Sequence, residues 1–164
     1  PVMLVAIRFL HVLLAFAWFA AVFAAHWNTR QAGKATDWAV RNTLFALNRG
    51  LSTLIALPAL LGVGIVGNLF AMQMGYKMKD TPVFMAANGL WVALVLVTLV
   101  LEMPATGALG ALAHAAADAA KRGGQGEPAG WQKELSRWRM ANGLQLLLYV
   151  VLLALMVSPW APGR

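Results

Sequence analysis

His11 is the side chain of this 164-residue sequence with the most specific chemistry. It lies in the first apolar segment, one helical turn after Arg8. A neutral imidazole is a common axial ligand of haem iron, and an arginine one turn away can bind a propionate. His11 is therefore a candidate tetrapyrrole ligand, for haem b or for the magnesium of a chlorin. The alternative is that it only hydrogen-bonds a neighbouring helix.

The other histidines restrict how an iron could be held. His26 follows His11 by 15 residues, which corresponds to about 22 Å of helix rise and is too far to share one iron. His114 falls in a later connection. A bis-histidine haem within one chain is therefore not expected, whereas five-coordinate haem, His/Met ligation and a single bond to a chlorin stay open.

Polar and aromatic residues recur with helical spacing in three apolar segments. Each set follows steps of three and four, which places its members on one face of a helix. The sets are Arg8, His11, Ala15 and Trp18; Asn88, Trp91, Val95, Thr98 and Glu102; and Trp138, Asn142, Gln145 and Tyr149. We predict that the three stripes face a common interior. There they either hydrogen-bond the helices together or line a cofactor site, whose candidate residues are His11, Arg8, Trp18 and Asn88.

Glu102 is the only acidic residue inside a predicted span. A carboxylate at membrane depth is costly unless it is paired, and otherwise takes up a proton. Arg49 and Arg139 fall at the same predicted depth. We therefore predict a structural ion pair between Glu102 and one of these arginines.

Methionines gather in the turn between the second and third apolar segments. Met72, Met74, Met78 and Met85 fall within fourteen residues, without a neighbouring His or Cys. Thioethers select Cu(I), but methionine is also a common apolar filler. Copper binding by Met72, Met74 and Met78 is therefore a weaker alternative.

The elements that must position these residues are membrane helices. The sequence is 60% hydrophobic and only 12% charged, whereas soluble domains carry about a quarter charged residues. Four apolar stretches, at about 2–25, 51–72, 83–103 and 140–157, are long enough to cross a bilayer. We predict a single all-α domain over 1–164, an integral membrane four-helix bundle, with longer connections at 26–50 and 104–139.

Two features within these boundaries carry further predictions. Pro82 opens the third span and Pro104 follows its end, while Pro58 bends the second, with Ser52 or Thr53 helping to satisfy the freed backbone groups. Residues 38–50 have an amphipathic pattern typical of a helix at the membrane interface.

The net charge of +7 orients the chain. Nine lysines and arginines lie in the two longer connections and three on the other side. The positive-inside rule therefore places both connections in the cytoplasm and both termini outside, in a bacterial inner membrane. Because the basic residues are scattered, nucleic acid is not an expected partner.

Several chemistries are excluded or disfavoured. The sequence has no cysteine, so thiolate metal sites, iron–sulfur clusters and cysteine nucleophiles are excluded. The G-x-G-x-x-G pattern at Gly62–Gly67 lies within a span and follows no strand, so it predicts a close-packing surface rather than a nucleotide site. No hydrolase or kinase constellation is present, and four helices without an inverted repeat disfavour a transporter.

Both ends of the sequence resemble a known group of membrane proteins. The motifs are Arg8-Phe9-Leu10-His11-Val12 with Trp18, and Arg137-Trp138-Arg139, Asn142-Gly143 and Leu155-Met156-Val157-Ser158-Pro159. They are similar to an uncharacterised predicted integral membrane family of bacterial four-helix proteins. More distantly, the first helix resembles CopD-like copper-resistance proteins and HemJ-like protoporphyrinogen oxidases.

The HemJ-like resemblance implies that the first-helix histidine, here His11, is associated with haem. The later functional lysine of those proteins has no counterpart, because no lysine lies in the four predicted spans. This difference disfavours the oxidase activity.

The sequence-based hypothesis is a non-catalytic subunit of a larger bacterial respiratory or photosynthetic electron-transfer complex, with one tetrapyrrole on His11. Its partners would be the lipid bilayer and neighbouring membrane subunits. The alternatives are an independent haem b or copper protein of the inner membrane and, less favoured, a membrane oxidoreductase acting on a porphyrin or quinone.

Overall fold

Four long helices make up the fold. The computed structural model describes residues 2–77, 81–124 and 126–157. Over these ranges the helices are α1 (Val2–Lys34), α2 (Trp38–Gln73), α3 (Pro82–Lys121) and α4 (Trp131–Val157), and no strand occurs. Each helix is long and apolar enough to cross a bilayer. The all-helical, four-span prediction is confirmed: the chain is a multi-pass membrane protein.

The helices extend beyond the predicted spans. Each predicted span lies within one helix, but most of the predicted connections are helical as well. Residues 38–50 are helical, as their amphipathic pattern predicts, and they run directly into the second span, while α3 continues to Lys121. Hydropathy marks only the most apolar part of a helix, whereas the amphipathic pattern of 38–50 does predict a helical continuation.

The prolines explain why α2 and α3 remain continuous. A π-helical turn, Leu51–Ala56, precedes Pro58, and another, Val97–Glu102, precedes Pro104. In these turns the Leu57 N–H bonds to the Ser52 carbonyl and the Met103 N–H to the Thr98 carbonyl, five residues back. Because proline lacks an N–H and its ring crowds the carbonyl four residues back, the wider turn accommodates it. The prediction that α3 ends before Pro104 was therefore wrong.

The Val100 carbonyl, to which Pro104 cannot donate a hydrogen bond, accepts one from a side chain instead. The Arg137 guanidinium of α4 donates through Nη2 to the Val100 carbonyl at 3.0 Å. At the other proline, Ser52 and Thr53 do not play the predicted role, because their hydroxyls donate to Glu102 and to the Arg49 carbonyl.

Two buried clusters hold the helices together. One lies along the predicted spans and includes Trp18, Leu60, Leu94 and Tyr149. The other lies where 38–50 packs along Met103–Lys121, and its largest members are Phe45, Leu109, Trp131, Leu135 and Trp138. The second cluster explains the helical extensions: beyond the spans, each helix still buries an apolar face against a neighbour.

The connection between α1 and α2 is held in place by side chains at its two ends. Asp37 caps α2 by accepting from the Ala39 N–H at 2.8 Å. The Arg41 guanidinium donates to the Ala35 carbonyl and stacks 4.2 Å from the centre of the Trp38 ring. Trp38 in turn meets Trp131 edge to face at 5.0 Å. The start of α4 is thereby fixed to the α1–α2 turn.

Candidate functional site

The imidazole ring of His11, a residue of α1, packs against α2. Its ring is half-buried, and Nδ1 lies 3.1 Å from the carbonyl oxygen of Val63. Because a carbonyl only accepts, Nδ1 carries the proton in this contact and the lone pair is left on Nε2. Histidine ligands of metals commonly donate their other ring N–H in this way. We call His11, Val63, Gly67 and the adjacent Arg8 the His11 site.

The three glycines of the G-x-G-x-x-G pattern each accommodate a side chain of another helix. A Cβ atom on Gly67 would lie 2.8 Å from His11 Cε1, and one on Gly62 would lie 2.9 Å from Leu14 Cδ1. A Cβ on Gly64 would collide with the Trp91 indole, whose N–H donates to the Leu60 carbonyl. The close-packing prediction is confirmed, since helices approach closely only where small residues leave room.

The four predicted cofactor-binding residues do not form one cluster. Arg8 is exposed, whereas Trp18 is buried against the Tyr149 ring at a centroid distance of 5.1 Å. Asn88 accepts a hydrogen bond from Asn68. No hydrogen bond joins any two of the four in the described parts of the chain. Arg8 and His11 lie one turn apart in the N-terminal part of α1, and Trp18 is a core residue two turns further along.

Two of the three methionines predicted as copper ligands lie within the described residues. Met72 and Met74 are exposed at the end of α2, and Met78 lies outside the described residues. Within the described ranges, no group of three His, Asp or Glu side chains comes close enough to hold a metal ion.

The predicted ion pair of Glu102 does not form. Over the described residues, no Lys or Arg nitrogen lies within 4.0 Å of its carboxyl oxygens, and Arg49 and Arg139 are exposed. Two hydroxyl groups take the place of the arginines. Ser52 Oγ and Thr106 Oγ1 each donate to Glu102 Oε1 at 2.8 Å. The acid is thus satisfied by neutral donors, which do not carry the desolvation cost of a second buried charge.

A polar network surrounds this acid in the interior of the bundle. The Trp138 indole N–H donates to Thr106 Oγ1 at 3.1 Å, and Gln145 Nε2 donates to Thr98 Oγ1 at 2.9 Å. All its members are buried, and we call them the Glu102 centre: Ser52, Thr98, Glu102, Thr106, Trp138, Asn142 and Gln145. It draws on α2, α3 and α4, so two of the three predicted stripes, those of α3 and α4, meet there. In the α1 stripe Trp18 packs against Tyr149, whereas Arg8 is exposed.

The network extends to the surface of α1. Asn142 Oδ1 lies 2.8 Å from Nδ1 of His26, an exposed residue whose ring stacks near Trp138.

A separate set of amides joins α1 to α2, where the fully buried Asn48 donates to the Ala25 carbonyl and to Thr29 Oγ1.

Sequence reasoning did not identify Thr106 as a member of the Glu102 centre or Asn48 as a link between α1 and α2, and it assigned Ser52 another role. Thr106 follows Glu102 by four residues, a spacing that brings two side chains together on a helix. That spacing is visible in the sequence. The pairing of Ser52 with Glu102 is not, because it depends on how α2 and α3 pack.

No protein-family model, curated protein or solved structure matches this chain. The class of protein is therefore defined by its own fold and sites: a four-helix membrane protein with a buried acidic centre and a half-buried histidine near one end. In the described part of the chain, Nε2 of His11 has no hydrogen-bond partner, so its lone pair can bind a metal. The Glu102 centre has a protonatable group surrounded by hydroxyl and amide groups, which can hold a proton or a water molecule.

Proposed function

We propose that this protein is a non-catalytic subunit of a larger bacterial respiratory or photosynthetic electron-transfer complex and that His11 ligates one tetrapyrrole through Nε2. The observation that carries this proposal is the contact of His11 Nδ1 with the Val63 carbonyl. It fixes the tautomer that a haem iron or a chlorin magnesium requires and holds the ring in one orientation. When bound, such a group would supply electron transfer or light absorption.

Gly67 supports the same assignment. Its missing side chain lets the imidazole lie directly against α2, which restricts rotation of the ring. A ligand held rigidly by packing and by a hydrogen bond is better suited to a metal than one free to rotate.

Arg8 supports an external partner at this end of α1. It is exposed between large apolar side chains that are also exposed, such as Val5 and Phe9. A guanidinium facing lipid is costly, so an anionic group brought to this surface would be stabilising. A propionate of the tetrapyrrole, or an acidic residue of a neighbouring subunit, fits this requirement.

The proposal includes the bacterial inner membrane and a defined orientation, with both termini on the non-cytoplasmic side. The charge distribution supports it, since nine basic residues lie in the two longer connections against three on the other side. A C-terminal reporter that is active only in the cytoplasm is expected to show background activity. Strong activity would contradict this orientation.

Mild detergent extraction from native membranes tests the subunit proposal. We expect the wild-type chain to migrate in a particle much larger than its own 17.6 kDa, with the absorption bands of a tetrapyrrole. His11→Ala is expected to lose the pigment or leave the particle. His114→Ala is the matched control, because that imidazole is exposed beside Asp118.

Two results would contradict the proposal. A colourless wild-type protein of small native mass would exclude both the complex and the pigment. A small red species with a Soret band would exclude the complex and favour an independent haem b protein.

A further inference from the structure

A small cavity lies inside the Glu102 centre. Its volume is about 10 Å³, and its polar lining consists of Ser52, Glu102, Asn142 and Gln145. A volume of about 10–15 Å³ open to a water-sized sphere is the minimum that one water molecule needs, together with two to four polar partners. The cavity is therefore at the lower size limit for a single water molecule, and its lining supplies the polar partners.

Gln145, which lines the cavity, has a side-chain oxygen without a hydrogen-bond donor among the described residues. Its side chain is 2% exposed, and its Nε2 is used in the bond to Thr98. Its Oε1 has no hydrogen-bond partner within the described residues. An unpaired buried amide oxygen is unfavourable, because it has lost its hydrogen bonds to water without gaining others. A donor in the cavity, either a water molecule or a carboxyl O–H, would remove that cost.

Glu102 is the one acid in this cavity, and it faces no counter-charge. Four charged or titratable residues lie next to members of the Glu102 centre, in the sequence or by a hydrogen bond: Arg49, His26, Arg137 and Arg139. None of the arginines lies within 4.0 Å of the carboxyl group. Arg137 is directed to the Val100 carbonyl and His26 to Asn142. Burial without a counter-charge favours the neutral form of a carboxyl group, which then carries a proton that it can donate.

We propose that Glu102 is a proton-binding site. The protonated carboxyl group and Gln145 Oε1 share one water molecule in the cavity. Protons exchange with the aqueous phase past Asn142 and His26. Loading takes one proton from water and forms one O–H bond on the carboxylate, and no electron moves. This proposal does not depend on a tetrapyrrole at His11.

The exchange route follows from the contacts of Asn142. This residue lines the cavity and accepts from His26 Nδ1, and the histidine ring is exposed. Asn142 is thus the only polar side chain that both lines the cavity and bonds to an exposed titratable group within the described residues. A bulky apolar side chain at this position would separate the cavity from the surface.

Infrared spectroscopy of the purified protein in lipid vesicles tests the proposal. At neutral pH we expect a C=O stretching band of a protonated carboxyl group, which shifts on transfer to D₂O. Glu102→Gln is expected to remove this band, whereas Glu134→Gln, the same change on a partly exposed acid, leaves it in place. Asn142→Leu is expected to slow the D₂O shift at least about tenfold, and Asn42→Leu, the same change outside the network, leaves its rate unchanged.

Alternative outcomes overturn specific parts of the proposal. A carboxylate band that Glu102→Gln removes would show that the acid is ionised, and a band that appears only when sodium is withdrawn would assign the cavity to a cation. An unchanged exchange rate in Asn142→Leu would exclude the route. If Glu102→Gln fails to fold, Gln145→Leu provides the test: loss of the shared water shifts the carboxyl band, and an unshifted band contradicts the sharing.

Discussion

The His11 site and the Glu102 centre place polar groups in the same membrane bundle in two different ways. His11 is half-buried and has one backbone partner, and its neighbour Arg8 is exposed. Glu102 is buried and bonded to two hydroxyl groups from two helices. In the first site one side chain has a backbone partner and its neighbour is exposed, whereas the second satisfies most of its groups through other side chains. The first is the site for which we propose a partner or cofactor, and the second is a core that joins three helices.

The backbone differs between the two regions as well. Ser52 and Glu102 both lie on π-helical turns, which widen α2 and α3 next to Pro58 and Pro104. His11 lies on a regular helix and relies on Gly67 of α2 for space. Single-turn π-helices occur frequently at functional sites. Here each π-helical turn precedes a proline and also carries a member of the Glu102 centre.

The largest expected effect on stability is at Trp138, which is 1% exposed and bonded to Thr106. We expect Trp138→Ala to lower the free energy of unfolding by about 3–5 kcal/mol, because it leaves a cavity in the Glu102 centre. Trp27→Ala is the control, since that ring is 53% exposed. Chemical unfolding in detergent measures both, and equal losses would show that the centre is not a stabilising core.

The next effect concerns the glycine face that also accommodates His11. We expect Gly64→Ala to cost about 1–3 kcal/mol, because the new methyl group meets the rigid indole of Trp91. Gly89→Ala meets nothing within 4 Å, so it should be neutral or stabilise the helix by up to about 1 kcal/mol. Thermal unfolding of the two variants distinguishes them, and the same shift in both would contradict the close approach of α2 and α3.

The smallest effect is at the hydroxyl groups near Pro58. Ser52→Ala removes one donor to Glu102 and should cost about 0.6 kcal/mol, the average for hydrogen bonds between membrane helices. Thr53 donates only to a carbonyl of its own helix, so Thr53→Ala should change stability less. A larger loss in the Thr53 variant would reverse this order.

Much of the fold was predictable from the sequence, because long apolar segments and helical spacing are local properties. Hydropathy located the four spans, and spacing placed Thr98, Asn142 and Gln145 on buried faces. The continuation of α3 past Pro104 was not predictable in this way, since it depends on a π-helical turn and on Arg137 from another helix. The partners of Glu102 were missed for a related reason. Its charge predicted a pairing with arginine, whereas the structure places the hydroxyl groups of Ser52 and Thr106 next to its carboxyl group.

The most direct test of the central claim, that His11 holds a tetrapyrrole, is an absorption spectrum of His11→Ala with and without added imidazole. We predict that wild type shows the tetrapyrrole bands, that the variant loses them, and that imidazole restores them by replacing the missing ligand. Bands that are the same in wild type and in the variant would contradict His11 as the ligand and would leave it only a role in helix packing.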